Sequence, residues 1–228
     1  PDSMFDSCSS LLSLNASSNV INLPTNITSI GKFAFSGCTN LKTVIIPTSV
    51  VSIGDSAFNN CQNLESVTIP TNVKIISDNL FNNCMSLVSV TLPTTIESIG
   101  ESAFRDCHKL ESISSLVNVT TIKSHAFYKC LQLESLIFPA NLDVIPKFAF
   151  YQCSKLTSIE FPLNTTTIDD GAFSHCSQLD SIRLPLSLTT IGTSAFSHCT
   201  NLYSIIVNTN IDRIGRSAFS HCSKLMSI

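Results

Sequence analysis

Charge is scarce in this sequence of 228 residues. Asp, Glu, Lys and Arg make up 13% of it, the formal net charge is −3, and no basic run occurs. A surface of that kind gives a polyanion nothing to neutralise, which argues against a nucleic-acid partner. Long apolar runs are lacking too. The chain is 43% hydrophobic, yet no stretch approaches the roughly 20 apolar residues of a membrane span, so direct membrane insertion is not expected. No secretory leader is recognisable. The sequence opens at Pro1 and stops at Ile228 in mid-pattern, and it reads as a piece of a longer chain. The signatures of chemistry are missing as well. There is no C-x-x-C or H-x-x-x-H pair for a metal, no phosphate loop, no paired-carboxylate constellation and no nucleophile elbow. Neither a cofactor nor catalysis is expected.

What the sequence has is a ruler. Cys38, Cys61, Cys84, Cys107, Cys130, Cys153, Cys176, Cys199 and Cys222 follow one another at a constant 23-residue step, in eight identical intervals. A fixed period of this length marks a stacked array of repeats. Phenylalanine lies three before each cysteine, from Phe35 to Phe219, and leucine three after, from Leu41 to Leu225. An aliphatic residue lies six after, and isoleucine fifteen after, from Ile53 to Ile214. Val67 and Ile69 alternate with Ser66 and Thr68, the pattern of a half-buried strand. Pro70 ends that strand because it has no N–H to give a ladder. Val73 and Ile76 turn inward again in a second short extended segment. Ala57, Phe58, Cys61 and Leu64 fall on one stripe that suggests a short helix or helical turn, with Gly54 and Asp55 as its break and cap. One such unit cannot bury its apolar face alone, whereas stacked neighbours can.

The first unit is irregular. Phe5, Cys8, Leu11 and Leu14 begin the pattern, but about seven extra residues lie near Asn15 to Asn19 before the frame resumes at Ile21, Leu23 and Pro24. The expected organisation is one repeat domain over 1–228, irregular over 1–37, regular over 38–228 and truncated at the C-terminus. Local departures from the pattern are Ser115 with Leu116 and Asn208 at the proline column, Thr165 for an aliphatic residue, Leu80 for alanine and Pro146 for glycine. They are expected to mark irregularities in the stack.

The recurring string I-P-x-x-V-x-x-I-G-x-x-A-F-x-x-C-x-x-L is clear from Ile69-Pro70 through Ile99, Ala103, Phe104, Cys107 and Leu110. It resembles the BspA-like class of leucine-rich repeats, which includes the treponemal repeat proteins and occurs in surface proteins of bacteria and parasitic protists. The resemblance implies a curved right-handed solenoid, adhesion to host or neighbouring-cell proteins, and no enzyme activity. The fold class expected is therefore α/β: a right-handed leucine-rich repeat solenoid of 23-residue units, with a parallel β-sheet on the concave face and short helical turns or short strands elsewhere.

Cysteine packs as a small hydrophobe, and the cysteine column shares the stripe of Phe and Leu, so free buried thiols are expected. Equivalent side chains in a stack point parallel rather than at one another. His175, His198 and His221 precede three of the cysteines. They are expected as an aligned exposed row that makes that end pH-sensitive, rather than as a metal ladder. The column five after cysteine is almost all serine, Ser66 to Ser227, and is expected to form a hydroxyl ladder bonding between coils. No histidine or carboxylate accompanies any one serine, so no catalytic residue is assigned.

The columns flanking it vary, and a solenoid presents its binding surface there. The candidates are Lys42, Glu65, Thr68, Thr91, Glu111, Glu134, Ile137, Glu160, Asp180, Arg183, Tyr203 and Ile206. Their acidic middle suits a basic or mixed protein partner, such as a host extracellular-matrix or cell-surface protein, bound by a monomer. Sequons at Asn15, Asn26, Asn118 and Asn164 point to N-glycosylation and a surface or secreted location. The unpaired cysteines keep open a cytoplasmic scaffold as the alternative.

Overall fold

The computed structural model describes residues 19–113 and 116–226. The first-repeat insertion before Asn19, its Cys8 and the sequon at Asn15, and Ser115, lie outside them. Two parallel ladders run through about eight turns of solenoid at the 23-residue pitch. The first joins Val20–Asn22, Thr43–Ile45, Ser66–Thr68, Ser89–Thr91 and Ser112–Ile113, and further on Ser158–Glu160, Ser181–Arg183 and Ser204–Ile206. An isolated bridge, Ile137 to Glu160, reaches into the gap between the two groups. Pairing is in strict register, Val67 opposite Val90 and Ile182 opposite Ile205. The chain is already in frame at Ile21, which pairs with Val44.

The second ladder is built from two-residue strands such as Ile75–Ile76, Ser98–Ile99 and Thr121–Ile122. It breaks twice, and both breaks have a cause in the sequence. In most coils the residue after the inward isoleucine donates its N–H to the coil before, as Gly100 does to Ile76 at 2.7 Å and Lys123 to Ile99 at 3.0 Å. Pro146 has no N–H, and Val144–Ile145 does not pair with Thr121–Ile122. At the other break the Ser77 hydroxyl, rather than an amide, donates to the Ile53 carbonyl.

The Ala-Phe-x-x-Cys-x-x-Leu segment is not helical, and the described residues contain no helix; the fold is a parallel-strand solenoid without an α layer. Two residues in every coil have positive φ, one five before the cysteine (Ser56, 58°) and one just before it (Asn60, 60°). Each interrupts a helix and turns an N–H outward. Phe33, Phe35 and Gly37 donate to Asp55, Ala57 and Asn59 of the next coil at 3.1, 2.7 and 2.7 Å. The residues between them close turns within the coil, as Ala34 does on Gly31 and Cys38 on Phe35. The result is a third inter-coil ladder made from tandem turns. A left-handed non-glycine residue costs roughly 1–2 kcal/mol. Asn, Asp and His are the types that tolerate it best, and they fill most of the column before cysteine. Gly54 caps no helix. Its Cα passes so close to the preceding coil that a Cβ would sit 2.6 Å from the Lys32 amide nitrogen.

Inside, the phenylalanines form a near-parallel stack with centroids 5.2–5.7 Å apart from Phe35 to Phe219. Cys61 through Cys222 are free thiols. Each donates its S–H to the phenylalanine carbonyl of the preceding coil, Cys107 to Phe81 at 3.1 Å, so the sulfurs do not face one another. Burial pushes the Cys61 thiol up to about 12. Cys38 departs from the column and is disulfide-bonded. The remaining departures are accommodated. Thr165 is fully buried and its hydroxyl donates to Leu142 O at 2.9 Å, Leu80 fills the core, and the Asn208 amide donates to Pro185 O at 2.5 Å.

Candidate functional site

Strand alternation places the variable columns of the first ladder outward. From Thr43–Ile45 onward, the central residue of each three-residue strand is buried and its neighbours are exposed or half-buried, as Val67 is buried between the exposed Ser66 and Thr68. Lys42, Glu65, Thr68, Thr91, Glu111, Glu134, Ile137, Glu160, Arg183, Tyr203 and Ile206 are all exposed, and Asp180 is half-buried. Register brings them into two rows. In one, amide-to-carbonyl bonds link Lys42, Glu65, Val88, Glu111, Glu134, Thr157, Asp180 and Tyr203 in sequence at 2.9–3.4 Å. In the other, Thr68 lies beside Thr91, Ile137 beside Glu160, Glu160 beside Arg183, and Arg183 beside Ile206. The strip is less acidic than its sequence suggests. Lys42 pairs with Glu65 at 3.2 Å and Lys155 with Glu134 at 3.8 Å. Ile137 and Ile206 are 86% and 61% exposed, too much for core residues, and add apolar contact area.

Among the described residues, no hydroxyl of the serine column bonds between coils. Its described hydroxyls face outward, and the one side-chain bond among them runs from Ser181 to Asp180 Oδ1 within one coil. The backbone already satisfies the ladder, and water is free to satisfy the hydroxyls. Inter-coil hydroxyl bonds occur elsewhere, as from Thr95 to Thr71 O at 2.7 Å. The described sequon asparagines, Asn26, Asn118 and Asn164, are exposed and share one column. The Asn118 amide donates to Thr94 O at 2.8 Å.

The tandem-turn face carries a second assembly, of which the sequence shows only part. His175, His198 and His221 stack with centroids 4.3 and 4.2 Å apart. They are aligned as expected, but His175 and His198 are half-buried rather than free. The row continues through Tyr151, edge-on to His175 at 5.3 Å, to Tyr128, stacked on Tyr151 at 4.7 Å. His125 and Phe148 lie alongside at 5.3 Å, and the Arg105 guanidinium sits 4.8 Å over Tyr128. A signal for this face does exist in the sequence: Tyr128 and Tyr151 occupy the same place in successive repeats.

Burial, then the neighbouring His198 and His221, hold the His175 imidazole below its usual range; burial and the Arg105 charge do the same for His125. Both rings accept protons more readily in the unfolded chain, so stability is complete above about pH 6.5 and declines as pH falls below it. The urea midpoint is expected to drop between pH 7.5 and 5.5, and by less in a His125→Asn, His175→Asn double variant, since asparagine tolerates the left-handed backbone. Equal drops in the two proteins would remove histidine as the cause.

The same repeat geometry recurs in known proteins. The model of the BspA type leucine-rich repeat region matches in six copies, over residues 1–134 and 120–228. A Bacteroides ovatus leucine-rich repeat protein is 35% identical with a TM-score of 0.79, over 90% of this chain and 62% of its own; the chain thus spans less than two thirds of that relative. The T. pallidum leucine-rich repeat protein is 31% identical with a TM-score of 0.65, over 71% of this chain and 78% of its own. A leucine-rich cell surface protein from Faecalibacterium prausnitzii is 26% identical with a TM-score of 0.63, over 92% and 66%. Comparison with curated proteins finds no match. On the matched repeats, and on a fold that agrees with them, the chain belongs to the BspA-type leucine-rich repeat family.

Proposed function

We propose that this chain is a non-enzymatic protein-binding module that works at a cell surface and engages a host or neighbouring-cell protein through the exposed strip on the first ladder. Leucine-rich repeats are a general protein-interaction fold and typically non-catalytic. The observation that carries the reading is the strip itself: two in-register rows of varied, solvent-facing side chains held on a rigid backbone ladder. Interfaces draw energy from exposed aromatic and apolar anchors ringed by polar groups, and Tyr203, Ile137 and Ile206 among Glu111, Glu134 and Glu160 have that composition. A surface location draws support from the F. prausnitzii relative, a leucine-rich cell surface protein, and from three exposed sequons. The eight unpaired thiols favour the second reading, a cytoplasmic scaffold; vacant Asn26, Asn118 and Asn164 in native material would support it.

The test is binding of the immobilised chain to a panel of host extracellular-matrix and cell-surface proteins. The triple variant Glu111→Lys, Glu134→Lys, Glu160→Lys is expected to weaken the captured partner at least about tenfold, or roughly 1.4 kcal/mol, with unfolding unchanged. No captured protein, or affinity unaltered by the reversals, overturns the reading.

A further inference from the structure

Along the tandem-turn face, two columns change size at the same coil boundary. Two before the cysteine, Tyr128 and Tyr151 give way to Ser174, Ser197 and Ser220. Five before it, His125 and Phe148 give way to Gly171 and Ser194. The step leaves an open notch of about 480 Å³ across three coils. Tyr151 and Phe148, edge-on to each other at 5.8 Å, form one wall, and the stacked His175 and His198 flank it. Gly171 makes the seat for that wall. Its φ is +61°, and the Phe148 ring lies where a Cβ would be, with Cε1 2.2 Å from that point.

On the polar rim, the Asp170 carboxylate is anchored and Lys147 is its exposed partner. Asp170 Oδ1 accepts the Thr193 backbone N–H at 2.7 Å, which orients the carboxylate. Its Oδ2 faces Lys147 Nζ at 3.7 Å, too far for a hydrogen bond. The ammonium and the carboxylate therefore cancel in charge while each keeps hydrogen-bonding capacity toward the notch. Ser174, Thr193, Ser194 and Ser197 add hydroxyls.

A cationic ligand would meet Lys147, and an anionic one Asp170. A purely apolar group would strand the ion pair and the hydroxyls. A neutral pyranose fits all of these features. Its C–H face lies on the half-buried aromatic wall, and one hydroxyl of a vicinal pair accepts from Lys147 while the other donates to Asp170. The volume lies in the range of small-molecule sites. We propose that this notch is a carbohydrate-binding site taking one neutral hexose unit of a glycan. It stands on a different face from the protein-binding strip, and each can fail without the other.

The test is NMR titration of the folded chain with glucose, galactose, mannose and N-acetylglucosamine, with sodium acetate and guanidinium chloride as charged controls. At least one sugar is expected to shift amides from Lys147 to His198 with a Kd on the order of 1 mM. Tyr151→Ser puts in that column the residue it already carries at 174, 197 and 220, so the coil keeps a tolerated side chain. This variant is expected to weaken the response about tenfold, and Asp170→Asn about threefold or more. Asp170→Asn keeps an oxygen acceptor for the Thr193 amide. No shift with any of the four sugars, an equal response in Tyr151→Ser, or acetate or guanidinium acting at the same amides as strongly as sugar overturns the proposal.

Discussion

Phe104→Ala is expected to cost about 3–5 kcal/mol and to divide the unfolding of the chain into two steps. Phe104 is fully buried, stacked on Phe81 at 5.6 Å on one side and on Phe127 at 5.3 Å on the other. Truncation removes ring contacts to both coils, and a close-packed stack cannot collapse across the gap without shifting the ladders that hold it. The loss is a large fraction of the roughly 5–15 kcal/mol that holds a domain together. In a solenoid each coil depends on its nearest neighbours, so a weak junction at mid-stack lets the coils on either side melt separately. Phe219→Ala is the comparison. That ring is only half-buried and has one stacked neighbour, Phe196 at 5.4 Å, and its loss should be well under half as costly. Urea unfolding followed by circular dichroism reads both effects. A single transition for Phe104→Ala with a midpoint no lower than that of Phe219→Ala would show that the phenylalanine stack does not couple the coils.

The columns that such experiments probe are legible in the sequence because they answer to burial. Phe, Cys, Leu and the two inward aliphatic positions recur once per repeat, since each occupies the same site against the next coil. The strand at Ser66–Thr68 and the short one at Ile75–Ile76 fall where alternation and the inward Val73 and Ile76 put them. The helix expected at Ala57 to Leu64 does not form. Phe58, Cys61 and Leu64 are spaced by three and three, a pattern that tandem turns produce as readily as a helix. The information that separates the two lies in the backbone. Ser56 and Asn60 have φ near +60°, and the recurring Asn60, Asn83, Asp106, His175, His198 and His221 are the residue types that region favours. That column answers to its φ first, and to histidine chemistry only where the type happens to be His.

The candidate strip falls on exposed positions because alternation along a strand fixes facing without tertiary information. Its charge balance is not legible in the same way. Whether Glu134 stands alone depends on Lys155, which belongs to the following coil and lies outside the strand columns. The notch is hidden for a related reason. It arises from small residues succeeding large ones between coils, at Gly171 and Ser174, while a repeat is recognised by what stays constant.

The thiol column carries the last prediction, and its sign is opposite to that of the histidines. Cys107 is fully buried and donates its S–H to the Phe81 carbonyl at 3.1 Å, and burial raises its pKa well above the usual thiol range. In Cys107→Asp, a protonated carboxyl can donate to the same carbonyl, whereas an ionised one turns acceptor against acceptor in an apolar slot. The folded-state pKa of the aspartate must therefore rise above its unfolded value of about 3.9. Below that value both states bind the proton and the variant keeps its stability. Above it the unfolded chain ionises first, and stability falls by about 1.4 kcal/mol per pH unit until the folded-state pKa is reached. At pH 7 the deficit approaches roughly 4 kcal/mol, comparable to the stability of a marginal domain. The urea midpoint of Cys107→Asp is expected to be highest near pH 4 and to collapse by pH 8. The wild type gains stability over the lower part of that range as His125 and His175 lose their protons in the unfolded chain. Cys107→Ser keeps a donor for Phe81 and should show no such collapse. A Cys107→Asp midpoint that does not change from pH 4 to pH 8 would mean that the slot admits water, and that the repeating cysteine column is not a sealed core.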